Sequence, residues 1–278
     1  VDVITYEFEN IPTSALDILE NLRPIRPGRE ALRISQDRLT EKDFLTGLGL
    51  ETAPYRAVDT RQDLAEAVDA LGLPAILKTR RFGYDGKGQA RLSTQEDQAT
   101  AIADMAGQAA VLEGFISFSK EISIIGARNS AGDVACFDPG ENIHQAGILR
   151  TTTVPAQINA TQRMDAVLLA AQIMNALDYV GVMGVELFVT GQGLIVNEIA
   201  PRVHNSGHWT QNGCAVDQFE QHIRAIANWP LADGSRHSDV TMKNLIGNDL
   251  DALEALSSQA GTALHLYGKA EIKPGRKM

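Results

Sequence analysis

The sequence has only two cysteines, Cys136 and Cys214, in 278 residues. No C-x-x-C pair occurs, so neither a zinc ribbon nor a thioredoxin-like site is indicated. Cysteines this sparse read as small buried hydrophobes in a reducing, cytoplasmic compartment. No stretch approaches the ~20 apolar residues of a membrane span, so no membrane partner is expected. No signal peptide opens the chain. Basic excess is also lacking: 25 Lys and Arg stand against 35 Asp and Glu, a net charge of −10. That balance argues against a nucleic-acid partner. It also makes each local cluster of cations informative, because an acidic protein that handles anions must place its positive charge deliberately.

The chain is long enough for a sizeable core and for two or three domains. Strand-like and helix-like segments alternate, which indicates an α/β or α+β protein. Ser14-x-x-Asp17, Thr60-x-x-Asp63 and Thr94-x-x-Asp97 have the form of capping boxes. Leu64, Ala67, Val68 and Leu71 share one helical face, and so do Met164, Val167, Leu168, Ala171, Met174 and Leu177. Both stripes read as core. Strands are expected over 75–78, 121–125, 182–189 and 194–199, the last two flanking a glycine-bearing hairpin loop. Residues 231–239 read as a linker. Val1 to Ile4 reads as a strand under way and Pro274 to Met278 ends abruptly, so a chain trimmed at both ends is expected.

Three segments carry chemistry. A strand ending at Lys78 leads through Arg80 and Arg81 into Gly83-Tyr84-Asp85-Gly86-Lys87-Gly88-Gln89. Glycines let backbone amides close on phosphate oxygens. The run is neither a Walker A motif nor G-x-G-x-x-G. On composition alone it is equally a basic hairpin tip. The second feature is a pair of acids, Glu186 and Glu198, in apolar strands where an unpaired charge is costly. A three-residue loop, 191–193, puts them face to face. A two-residue loop puts Asn197 opposite Glu186 and turns Glu198 to the other face. Facing carboxylates plus nucleotide phosphates suit magnesium; an arginine partner for each acid accounts for them equally. The third is Asn197 to Trp209, dense in Arg, His, Asn and Ser. His204 and His208 lack an H-E-x-x-H setting, and a cradle for a small anion fits better than zinc.

Together with Tyr6 to Asn10, Gln36-Asp37-Arg38, Glu141 to His144, Gln218-Phe219-Glu220 and Pro274 to Lys277, these segments resemble the ATP-grasp superfamily. Within it they resemble the 5-(carboxyamino)imidazole ribonucleotide synthase family, over essentially all 278 residues. The resemblance implies an ATP-grasp fold in which two α+β subdomains clasp ATP. It implies a remnant of a Rossmann-like domain over 1–34, an ATP-grasp domain over 35–230 with its lid at about 74–118, and the start of a C-terminal domain over 231–278. It implies ATP contacts from Arg38, Lys78, Gly83 to Gln89, the adenine hinge Glu113-Gly114-Phe115-Ile116, Glu121, His144, Asn197 and Glu198. Magnesium falls to Glu186 and Glu198. Tyr84, Asp85, Arg202 and His204 fall at the reacting centre, and the last two with Asn205, Ser206, Lys269, Arg276 and Lys277 hold substrate. The implied reaction carboxylates 5-aminoimidazole ribonucleotide with ATP and bicarbonate in purine biosynthesis, in a homodimer. The other readings are a formate-dependent glycinamide ribonucleotide transformylase, also an ATP-grasp ligase, and a nucleotide-binding module without catalysis.

Overall fold

The computed structural model describes residues 1–83 and 86–278. The chain begins with three short helices, α1 (Thr13–Leu19), α2 (Arg29–Ser35) and α3 (Arg38–Gly47). Ile4 and Ile25 pair in parallel on either side of α1. Leu16, Ile25 and Leu32 form a small separate core there. The capping box expected at Ser14 does not form. α1 starts after Pro12 without a side-chain cap, and Asp17 is drawn instead to Arg29 at 2.7 Å. α3 is firmly capped: Asp37 accepts from the amides of Leu39 and Thr40.

A small layer follows: β1 (Tyr55–Val58), α4 (Arg61–Leu71), β2 (Ala75–Thr79), β3 (Gln89–Leu92), α5 (Asp97–Asp104) and β4 (Ala110–Gly114). Its four strands are antiparallel in the order β1-β4-β2-β3. Leu64, Ala67 and Val68 of α4 and Ala101 of α5 pack on the buried face of this sheet. The Thr60–Asp63 box forms completely. At Thr94 only the returning half does, Asp97 accepting from the amides of Ser93 and Thr94. The span 74–118 expected for the lid is only part of this layer. β1 and α4 belong to it as well, because β1 pairs with β4 along its whole length.

The large layer holds β5 (Lys120–Arg128), β6 (Val134–Cys136), β7 (Gly140–Gln145), β8 (Ile148–Val154), α6 (Ala160–Ala176), β9 (Gly181–Thr190) and β10 (Gly193–Ala200). Then come α7 (Thr210–Gly213), α8 (Gln218–Ile226), β11 (Val240–Lys243) and α9 (Leu253–Ser257). The strands run in the order β10-β9-β5-β7-β8-β11, with β6 on β5. β5 is buried from Ile122 to Ala127 because both its faces are covered there. Ile122 and Ile124 join the α6 side, while Ile125 and Ala127 meet Phe137, Trp209 and Cys214.

α6 turns a different face to the sheet than its pattern suggested. Ala166, Ala170, Ile173 and Met174 are buried, whereas Met164 and Leu168 are each 58% exposed. From Ala166 to Met174 the helix is apolar at every position but Gln172, so periodicity alone could not choose a face. Close approach chooses the alanines, and Met174 fills the space over Gly126, where a Cβ would lie 2.6 Å from Cε. Residues 230–239 are irregular, apart from a bridge at Arg236. β11 then pairs with β8, and the Met278 amide returns to the Leu245 carbonyl at 2.8 Å, so the C-terminal segment is stitched to the large sheet.

Candidate active site

The hairpin of β9 and β10 sets the centre. Its loop is the two residues Gly191-Gln192, since Thr190 pairs with Gly193. That loop alone would turn Glu198 away from Glu186. A β-bulge between Val196 and Glu198 absorbs Asn197 and restores the pairing of Glu186 with Glu198. Core positions along β10 therefore run Val196 then Ile199, and Asn197 and Glu198 fall together on the opposite face. The facing of the two acids is as expected, but a bulge and not a three-residue loop produces it. Ser123 pairs with Glu186 from β5, so Glu198, Glu186 and Ser123 form a row across three strands.

The acids differ in electrostatic state. Burial, then the charge of Glu198, pushes Glu186 up to about 7. Burial acts on Glu198 too, but the Arg38 guanidinium 2.8 Å away outweighs it and holds that carboxyl at about 2. His204 Nε2 lies 3.6 Å from Glu186. Burial, then Arg202, lowers its pKa to about 3, so the ring is neutral at physiological pH. Gly184 is required beneath it: a Cβ there would lie 2.8 Å from His204 Cβ. Glu9 and Arg202 pair across the mouth of a small cleft of about 60 Å³ that Arg38, Gly83, Glu198 and His204 also line.

The glycine segment and the C-terminal segment approach the same region. Gly86 has φ +76°, and a Cβ there would lie 3.0 Å from both the Ala146 carbonyl and Gly147 Cα, in the turn between β7 and β8. Gly275 lies against Ile148, just beyond that turn. Gly88 meets the Thr79 hydroxyl, and Lys87 and Gln89 are exposed. Tyr84 and Asp85 lie outside the described residues. Lys269 donates to the Lys277 carbonyl at 2.7 Å, and Arg276 to that of Glu271 at 3.2 Å. Lys277 acts electrostatically on His204 and His208. On β5 and β7, Glu121 and His144 form a 2.6 Å pair. Burial works against the His144 imidazolium, but Glu121 and then Glu186 outweigh it and raise its pKa.

Adenine is expected at the backbone of residues 113–116, which leaves the Glu113 carboxylate free for a structural task. It is buried and shared between Lys78 at 2.9 Å and Lys42 at 3.4 Å, because a carboxylate inside the small layer needs cations. The Gly114 and Phe115 amides are committed to the carbonyls of Pro54 and Pro74, at 2.8 and 3.2 Å. Ser206 is fully buried and bonds His204 Nδ1 at 2.8 Å, so it orients that ring and does not meet substrate. Asn205 keeps a buried amide nitrogen without a partner among the described residues. Sequence reasoning missed Glu41 and Lys42. Their signal is position: with Arg38 and the core residue Leu45 they share one face of α3, where charge is out of place.

Two antiparallel layers meet at a cleft carrying an acid pair, converging cations and a glycine loop, and this defines an ATP-grasp enzyme. The ATP-grasp domain family matches residues 43–219, and the phosphoribosylaminoimidazole carboxylase C-terminal domain matches residues 240–278. The chain belongs to the N5-carboxyaminoimidazole ribonucleotide synthase family, ATP-dependent ligases of purine biosynthesis. The synthase of Brucella melitensis is 54% identical over 280 residues, covering 100% of this chain and 77% of that protein. The Staphylococcus aureus synthetase complexed with ADP superposes with a TM-score of 0.94 at 38% identity, over 100% of this chain and 74% of that one. The Aspergillus clavatus synthase in complex with ADP and 5-aminoimidazole ribonucleotide gives 0.94 at 31% identity, over 100% and 75%. These matches set aside the transformylase and the non-catalytic module.

Proposed function

We propose that this chain uses ATP and bicarbonate to carboxylate the amine of 5-aminoimidazole ribonucleotide by way of carboxyphosphate. The pairing of Glu186 with Glu198, beside Arg202 and His204, carries the proposal. A bicarbonate oxygen attacks the γ-phosphorus of ATP, the bond to the β-phosphate oxygen breaks, and ADP leaves. The substrate amine then attacks the carbonyl carbon of carboxyphosphate, phosphate leaves, and the amine gives up a proton. Arg202 holds the anionic intermediate, and neutral His204 can accept a hydrogen bond or a proton beside it. Lys78, held by Glu113, and Arg38, held by Glu198, face the phosphates. Gly83 to Gln89 would fold over the triphosphate and help exclude water, with Tyr84 and Asp85 near the reacting centre. Glu121 and His144 take the ribose end, residues 113–116 the adenine, and Asn205, Lys269, Arg276 and Lys277 the ribonucleotide.

Glu186 and Glu198 fit magnesium. They are hard oxygen donors on one face, and the raised pKa of Glu186 marks a carboxylate that lacks a full counter-charge. Among the described residues no cluster of three or more His, Cys, Asp or Glu could hold a metal. The remaining oxygens would therefore come from the nucleotide and water, as is common for this ion. Bound there, magnesium would neutralise phosphate charge. The family resemblance extends the proposal to a cytoplasmic homodimer.

Carbon-13 NMR tests the reaction with ATP, magnesium, labelled bicarbonate and aminoimidazole ribonucleotide. A carbamate signal that needs all four components is expected. ADP release without carbamate would show that the acceptor is wrongly assigned.

A further inference from the structure

α3 closes on β10 with two side chains one helical turn apart. Arg38 bonds the Glu198 carboxylate, and Glu41 Oε1 accepts from the Ile199 amide at 2.7 Å. Glu41 is 3% exposed, so this is a buried acceptor on a buried donor. β10 is the outermost strand on its side of the sheet, and among the described residues its outward edge meets only an isolated bridge from Thr52 to Val196. Val196 donates there to the Glu51 carbonyl at 2.8 Å, and Ile199 donates to Glu41. The bulge residue Asn197 lies between these two anchors.

A bulge is a local irregularity that the strand could shed by slipping one residue. Slippage would pair Glu186 with Asn197 and turn Glu198 toward α6. Arg38 does not prevent this by itself, because it grips a side chain and can follow it. Glu41 grips the backbone. Its neighbour Lys42 reaches the Glu113–Lys78 pair from the same face of α3. The helix thus registers the acid pair and the phosphate-facing lysine against each other.

We propose that Glu41 is a positioning residue: it pins the Ile199 amide and so keeps the bulge that aims Glu198 at Glu186. Its consequence for metal binding rests on the magnesium reading given above. The pin itself can be tested in the metal-free protein.

The test follows amide hydrogen exchange at Ile199 in the full metal-free chain, for wild type and for E41Q, E41D and E41L. Mn2+ binding in the presence of ADP is read in parallel by electron paramagnetic resonance. E41Q keeps an accepting oxygen at the same reach and should retain wild-type protection and Mn2+ affinity. E41D draws the oxygen back by a methylene, and E41L removes it. Both should lose at least about tenfold in protection and about tenfold in Mn2+ affinity, as loss of a buried hydrogen bond predicts. The KM for the ribonucleotide should stay within about twofold, which general damage to the fold would not spare. E41D keeps the polarity of the site and serves if E41L does not fold. Unchanged protection in E41D overturns the pin. Lost protection with unchanged Mn2+ affinity overturns the aiming role. A wild-type chain that binds no Mn2+ with ADP overturns the magnesium reading and leaves the pin to be judged by exchange alone.

Discussion

At the scale of the residue, neighbours decide what each charged group does. Glu198 keeps its charge because Arg38 stands beside it, while Glu186 takes the cost of burial without such a partner. Glu198→Gln is expected to reduce ATP turnover at least about 100-fold, since it removes charge where phosphate and metal charge must be balanced. ADP release measures the loss, and an unchanged circular-dichroism melt shows that the fold survives. Full activity would remove Glu198 from the metal site. His222 makes the opposite kind of prediction. Its Nε2 meets the Thr5 hydroxyl and its Nδ1 accepts from the Val182 amide, and burial lowers its pKa from 6.5 to about 4. The unfolded chain binds a proton here near pH 6.5, the folded chain only near 4. Stability is therefore full above pH 6.5 and falls as the pH drops toward 4, by roughly 3 kcal/mol from this ring. His222→Gln retains an acceptor for Val182 and does not titrate. Its urea midpoint should fall less between pH 7 and 4.5 than that of the wild type.

At the scale of the element, packing chooses among faces that sequence leaves open. Leu168→Gln on the solvent side of α6 should change unfolding free energy by no more than about 0.5 kcal/mol. Ile173→Ala, on the buried side, should cost about 2–5 kcal/mol. Urea denaturation distinguishes the two, and a large loss at Leu168 would mean that this face is covered. The α6 stripe was illegible because almost every position from Ala166 to Met174 is apolar. α4 was legible because its polar positions leave a single choice. The β9–β10 hairpin shows a subtler limit. The strands, the turn and the two acids could all be read, but the bulge could not, because nothing in Val196-Asn197-Glu198 marks it locally. It is held from a distance by α3. Ser206 was misread for a similar reason: its type suits a substrate contact, and only the fold turns it toward His204.

At the scale of the whole molecule, residues far apart in sequence converge on one cleft. The helices before β1 supply Arg38, Glu41 and Lys42. The small layer supplies Lys78 and the glycine loop, and the large layer supplies the acids. The segment after β11 returns along the turn that meets Gly86. That arrangement gives Arg276→Ala a specific expectation. The KM for the ribonucleotide should rise about tenfold or more, while that for ATP should move by less than about threefold. Steady-state kinetics with each substrate varied in turn would check it, and equal effects would count against a separate ribonucleotide end of the cleft. The clamp on β10 also matters beyond catalysis. The outer strand of a sheet is an open template to which another extended chain can add. Here the outward amides of Val196 and Ile199 are already taken by Glu51 and Glu41. The contacts that aim a carboxylate into the site therefore also seal that margin of the sheet, and the molecule gains protection against joining its neighbours edge to edge into fibrils.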